Sequence, residues 1–329
     1  DFGDLDIVVS STPEEIYDKI AAIALELRSK EIVKNGPVTS LEVDNFQLDI
    51  ISTSLDSVDI YEKKKTSNLC RGNFQMTVDF MSWGDTSTLI GIIAKKMNLK
   101  FGNLGLELPV FFEVEDEIIS KEDNYEVNLN PLRLEDFKIE KLMRDRIILQ
   151  YILLSTDMIE ILNFLGFNSK IWQVGFKKEQ EIFDFIQSST YFNRNLFDSA
   201  KIGCNNRKRM KSRPMFLNFI NSLNTLVEDT VADRLSQEDF KNFHYERAIN
   251  TFKKKDEIEK ILQNYLKLRL FKKKFNSKVI MKVLQIEEFK KVRELKVKFE
   301  KLFCDKDTMI SKVLEIDQES LENLIRSLI

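Results

Sequence analysis

The chain has 329 residues, 43% of them apolar, enough to bury a sizeable core and to hold two domains. Its net charge of −3 hides an asymmetry: residues 1–200 carry 21 basic and 34 acidic side chains, whereas residues 201–300 carry 25 and 13. One histidine rules out His-rich metal sites and argues against a His-based triad, and Cys70, Cys204 and Cys304 form neither a zinc nor a disulfide pattern, which suits a reducing compartment.

With 10 Gly and 5 Pro, long helices and few loops are expected. The first residue is not Met, which predicts a chain processed, trimmed or incomplete upstream, and no secretory signal pattern opens it. Residues 5–10 read as a strand. Ser11-Thr12-Pro13-Glu14-Glu15 then offers a hydroxyl cap, a first-turn proline and acids at the positive end of a helix dipole. The predicted helix runs to about Lys30, with Ile16, Ile20, Ile23 and Leu27 on one face. Asn35-Gly36-Pro37 makes a turn, and strands over 38–43 and 46–53 are joined by the tight-turn pair Asp44-Asn45. A mixed strand and helix pattern continues to about residue 130.

From Pro131 onward helices are expected almost throughout, over about 135–165, 176–187, 213–230, 237–250, 253–274, 277–303 and 316–328. The most apolar stretch, 146–167, is broken by Gln150, Ser155, Asp157 and Glu160, so it reads as a buried helix and not as a membrane span. The fold class expected is α+β: a small mixed-sheet domain over 1–130, N-terminally incomplete, followed by a larger, basic, all-helical domain over 131–329, with the boundary near 120–132.

The chemistry-bearing feature is the opening Asp1-Phe2-Gly3-Asp4-Leu5-Asp6. Side chains alternate along a strand, so Asp4 and Asp6 share a face. Two carboxylates there repel unless a cation lies between them, and Mg²⁺ favours such oxygen clusters completed by phosphates. Asp49, in a second apolar strand, is the preferred third acid; Asp44 is the alternative but falls in the turn. Three acids on neighbouring strands could hold two ions about 3.5–4 Å apart, one activating a hydroxyl and the other clamping a triphosphate for in-line displacement.

Gly3 to Val9, followed by a helix and then a strand with a lone Asp, resembles the core of the nucleotidyltransferases of the DNA polymerase β superfamily. In that superfamily a Gly-Ser or Gly-Gly turn precedes an Asp-x-Asp strand and a third Asp lies on a later strand. Asp4, Asp6 and Asp49 match the three acids, and the glycine turn is expected upstream of Asp1. Ser82-Trp83-Gly84-Asp85 with the helix that follows, and Arg207-Lys208-Arg209-Met210-Lys211-Ser212-Arg213-Pro214, resemble segments of the phage and large-virus members. The resemblance implies Asp4, Asp6 and Asp49 as catalytic and metal-binding residues with Mg²⁺ or Mn²⁺, and an NTP as substrate. Gly3, Trp83 and Lys95 are the nucleotide-binding candidates.

Other features admit plainer readings. Arg207, Lys208, Arg209, Lys211 and Arg213 could clamp a nucleic-acid backbone or neutralise the acidic first domain. Lysine triplets at 63–65, 253–255 and 272–274 read as solvated faces. Trp83 with Phe101 could stack on a base or close the core. Asp1-Phe2-Gly3 invites a protein-kinase reading, but no Ala-Pro-Glu element follows. The stretch 102–105 has no Walker lysine-hydroxyl pair, and His244 reads as a surface or interface residue of a helix. The function expected is transfer of a nucleoside monophosphate to a hydroxyl acceptor, a nucleic-acid 3′ end and RNA before DNA. The alternative is a non-catalytic subunit of a viral or ribonucleoprotein assembly. Neither involves a membrane, and the expected place is the cytoplasm, of a host if viral, or the virion.

Overall fold

A computed structural model describes residues 4–11, 15–35, 38–54, 74–114, 145–197, 207–208, 211–223, 237–286 and 288–329. Strand β1 (Asp4–Ser11) leads to helix α1 (Ile16–Glu26), which buries Ile16, Ile20 and Ala24 against Leu41, Leu48 and Ile50. The helix stops short of Lys30 because Arg28 turns left-handed (φ +51°) and the Ser29 N–H closes onto the Ala24 carbonyl. Strand β2 (Glu31–Asn35) follows, unanticipated because all five of its residues are exposed and carry no alternating apolar face. Strands β3 (Val38–Val43) and β4 (Phe46–Ser54) form the expected hairpin, with φ +52° at Asp44 and +65° at Asn45 as a two-residue I′ turn requires. The sheet order is β1-β4-β3-β2, with β1 parallel to β4 and the other pairs antiparallel.

Helices α2 (Phe74–Met81) and α3 (Thr86–Lys96) precede a second sheet of order β5-β6-β7, made by β5 (Lys100–Gly102), β6 (Gly105–Val114) and β7 (Asp145–Ser155). Here the helix expected over 135–165 is corrected: residues 145–155 are a strand, and helix α4 (Met158–Phe164) begins only after Asp157, whose carboxylate accepts the Ile159 and Glu160 N–H groups. A continuous apolar run has no period to separate strand from helix, and the cap at Asp157 was the better signal. Residues 135–144 lie outside the described residues. Helices α5 (Ser169–Val174), α6 (Glu179–Gln187), α7 (Pro214–Leu223) and α8 (Gln237–Thr251) follow.

The chain divides into two compact units, residues 1–111 with 150–254 and residues 112–149 with 255–329; the boundary expected at 120–132 falls outside the described residues. The second unit holds α9 (Lys255–Lys274), α10 (Ser277–Leu284), α11 (Phe289–Glu300), α12 (Lys306–Glu315) and α13 (Gln318–Arg326). The single helix expected over 277–303 is two, because Gln285 adopts φ +54°, and α12 was not anticipated. Phe275, Ile280, Val292, Phe299, Val313 and Leu321 belong to this unit's core. Phe299 is fully buried and stacks 4.2 Å from Phe275. Phe299→Ala is expected to cost about 3–5 kcal/mol, read as a lower denaturation midpoint of this unit. The architecture is mixed α+β, with the C-terminal part mostly helical. No described helix is long and apolar enough to cross a membrane.

Candidate active site

The parallel register pairs Asp6 with Asp49 and Asp4 with Gln47. Partners on adjacent parallel strands project to the same side, and neighbouring strands lie about 4.8 Å apart, so Asp6 and Asp49 are side by side. Helix α1 covers the opposite face, where Leu48 and Ile50 point. Asp6 is exposed and Asp49 half-buried, and Gln47 Nε2 donates to Asp49 Oδ1 at 2.9 Å. Ser40 faces Asp49 from β3. Asp44 is in the turn, as expected, away from the paired acids in register. The Asp4 side chain and all of Gly3 lie outside the described residues. Two carboxylates on one water-accessible face, one of them steadied by an amide, suit a hard divalent cation whose other positions are filled by water and phosphate oxygens. Among the described residues there is no group of three or more His, Cys, Asp or Glu placed to hold a metal.

The other candidates are placed elsewhere in register and sequence. Lys95 is exposed on the last turn of α3. Phe101 is buried and tilts against Phe80, closing the core, whereas Trp83 stays 39% exposed with its edge against Phe176. Arg213 Nη1 donates to the buried Asp85 carboxylate at 3.2 Å, so this cation neutralises an acid of the same unit. Arg207, Lys208 and Lys211 are exposed, and Arg209 lies outside the described residues, as do Lys63, Lys64, Lys65, Cys70 and Cys204. The lysine triplet at 272–274 is not wholly a solvated face: Lys274 Nζ donates to the Leu314 and Ile316 carbonyls at the end of α12.

His244 corrects the surface reading, for it is 2% exposed on α8. Arg247 Nη1 donates to the Tyr191 hydroxyl at 2.6 Å and lies 3.3 Å from His244 Nδ1, and Lys96 Nζ sits 4.4 Å over the Phe240 ring. Burial, then the charges of Arg247 and Lys96, push the imidazole down to about 4. No sequence motif marks this group: Arg247 is one turn along α8, but Lys96 and Tyr191 come from distant segments. A histidine kept neutral in the fold but titrating near 6.5 when unfolded gives stability that is full above pH 6.5 and is lost as pH falls toward 4. The expected loss is on the order of 2 kcal/mol, and a pH series of melting temperatures should show that slope flattened in His244→Gln.

No family model, curated protein or solved structure matches the chain.

Proposed function

We propose that the chain is a metal-dependent nucleotidyltransferase that moves a nucleoside monophosphate from a nucleoside triphosphate to a hydroxyl acceptor, a nucleic-acid 3′ end. The observation that supports this reading is the register of Asp6 beside Asp49 on the sheet face turned away from α1. Asp4, Asp6 and Asp49 would hold Mg²⁺ or Mn²⁺. A metal bound there would supply a more acidic acceptor hydroxyl and neutralisation of triphosphate charge. The acceptor hydroxyl would give up its proton to water, and its oxygen would form a bond to the α-phosphorus as the bond to the departing pyrophosphate breaks. Gln47 keeps the Asp49 carboxylate turned in one direction through its amide.

The alternative reading is a non-catalytic subunit of an assembly. Incubation with labelled NTPs, Mg²⁺ or Mn²⁺ and single-stranded RNA, DNA or protein separates the two. Chelator-sensitive label on RNA is the expected result. Failure to label any acceptor would leave the assembly reading in its place.

A further inference from the structure

Trp83 and Arg213 are far apart in sequence, yet the first unit brings their segments together. Arg213 bonds Asp85, 128 positions away, two residues after Trp83. The Asp85 N–H also donates to Met215 Sδ at 3.4 Å, and a Cβ on Gly84 would come within 2.9 Å of that sulfur. The turn between α2 and α3 is thus locked to the start of α7.

That lock holds Trp83 in an unusual state. Its φ of +63° lies in the left-handed region that glycine and asparagine favour and bulky side chains avoid. The Thr86 N–H and hydroxyl both donate to the Trp83 carbonyl, and the indole edge rests on Phe176 and over Gly175. The fold accepts backbone strain to place a large ring and then leaves 39% of the residue in water. Core packing does not account for that placement.

The neighbouring charge indicates what would cover it. The Arg213 side chain is 55% exposed despite its bond to Asp85. Before it the chain is helical at 207–208 and 211–212, with Ser212 Oγ donating to the Lys208 carbonyl four residues back. Arg207, Lys208 and Lys211 are exposed, and Lys211 follows Lys208 by three residues and Arg207 by four, the spacings at which helical side chains are neighbours. A pure charge-neutralising role explains Arg213 but not the strained tryptophan beside it. We infer that Trp83 with Lys208, Lys211 and Arg213 forms a subsite for single-stranded nucleic acid, one base stacking on the indole and adjacent phosphates meeting the cations. A duplex keeps its base faces stacked inside and cannot offer one to the ring. This subsite deepens the acceptor side of the proposed function, but it needs no catalysis to be observed.

The test is binding without metal or NTP, using short oligo(U), oligo(dT) and a duplex of the same length. Tryptophan emission reports directly, because Trp172, the second of the two tryptophans, is 7% exposed and hydrogen-bonded to Asp79. The single strands should quench it and the duplex should not; the better of oligo(U) and oligo(dT) names RNA or DNA as the source. Trp83→Asn, which suits the left-handed turn and should keep the melting temperature, should weaken binding roughly tenfold, read by anisotropy of a dye-labelled oligonucleotide because the variant lacks the reporting indole. Lys208→Gln and Lys211→Gln should each lower the salt slope by roughly 0.7 while quenching persists. Wild-type affinity in Trp83→Asn, or a duplex bound as tightly as a single strand, overturns the subsite. Binding without nucleotide transfer counts against the enzyme alone; transfer with an unchanged KM for RNA in Trp83→Asn counts against the subsite alone.

Discussion

Asp49→Asn is expected to lower nucleotidyl transfer at least about 10³-fold at saturating NTP, equivalent to roughly 4 kcal/mol of lost transition-state stabilisation. The amide keeps the size and the contact with Gln47 but cannot donate a charged oxygen to a cation. The melting temperature should hold or rise, because Asp6 and Asp49 stand in register and repel in the absence of metal. A residue kept for folding shows the opposite pattern, with activity falling only as far as the folded fraction falls. Asp6→Asn should behave alike, and the double variant should lose little more than either single one if both serve one metal centre.

Gly105→Ala is expected to destabilise by more than about 3 kcal/mol. Its φ is +117°, outside the space a side chain tolerates, and the new Cβ would lie 2.1 Å from the Ser155 carbonyl oxygen and 3.2 Å from Thr156 Cα. Both obstacles are backbone, so relief requires the end of β7 to move. That end is tied to α4: Ser155 Oγ donates to Glu160 Oε2 and accepts from the Asp157 N–H. Gly102 is its register partner across the β5–β6 hairpin and an ideal control, since a Cβ there meets nothing within 4 Å. Chemical denaturation of Gly102→Ala and Gly105→Ala should give midpoints that differ sharply.

The first sheet was legible where local chemistry was unambiguous. Asp44-Asn45 fixed the hairpin, and the apolar residues of β1 and β4 gave two strands whose parallel pairing sets Asp6 beside Asp49. Legibility failed where one signal served two structures. Ile147 to Leu154 is as apolar as a buried helix, and only the Asp157 cap marks where helix begins. Strand β2 has no buried residue to reveal it, being held by backbone pairing to β3. Basic runs were legible only as alternatives or not at all: Arg213 reads equally as a phosphate ligand or a neutralising charge until the fold brings Asp85 against it, and Lys274 reads as solvent-facing until α12 presents its carbonyls. Long-range pairing decides such cases, and a single sequence does not display it.

In the proposed function Asp6 and Asp49 form a metal-dependent triphosphate site. Titrating Mn²⁺ with a non-hydrolysable NTP analogue, and following water-proton relaxation in wild type and Asp49→Asn, tests it most directly. Mn²⁺ should bind the wild type more tightly with the analogue present and should bind the variant at least tenfold more weakly. Equal Mn²⁺ binding by the two proteins, or no binding by either, would contradict it.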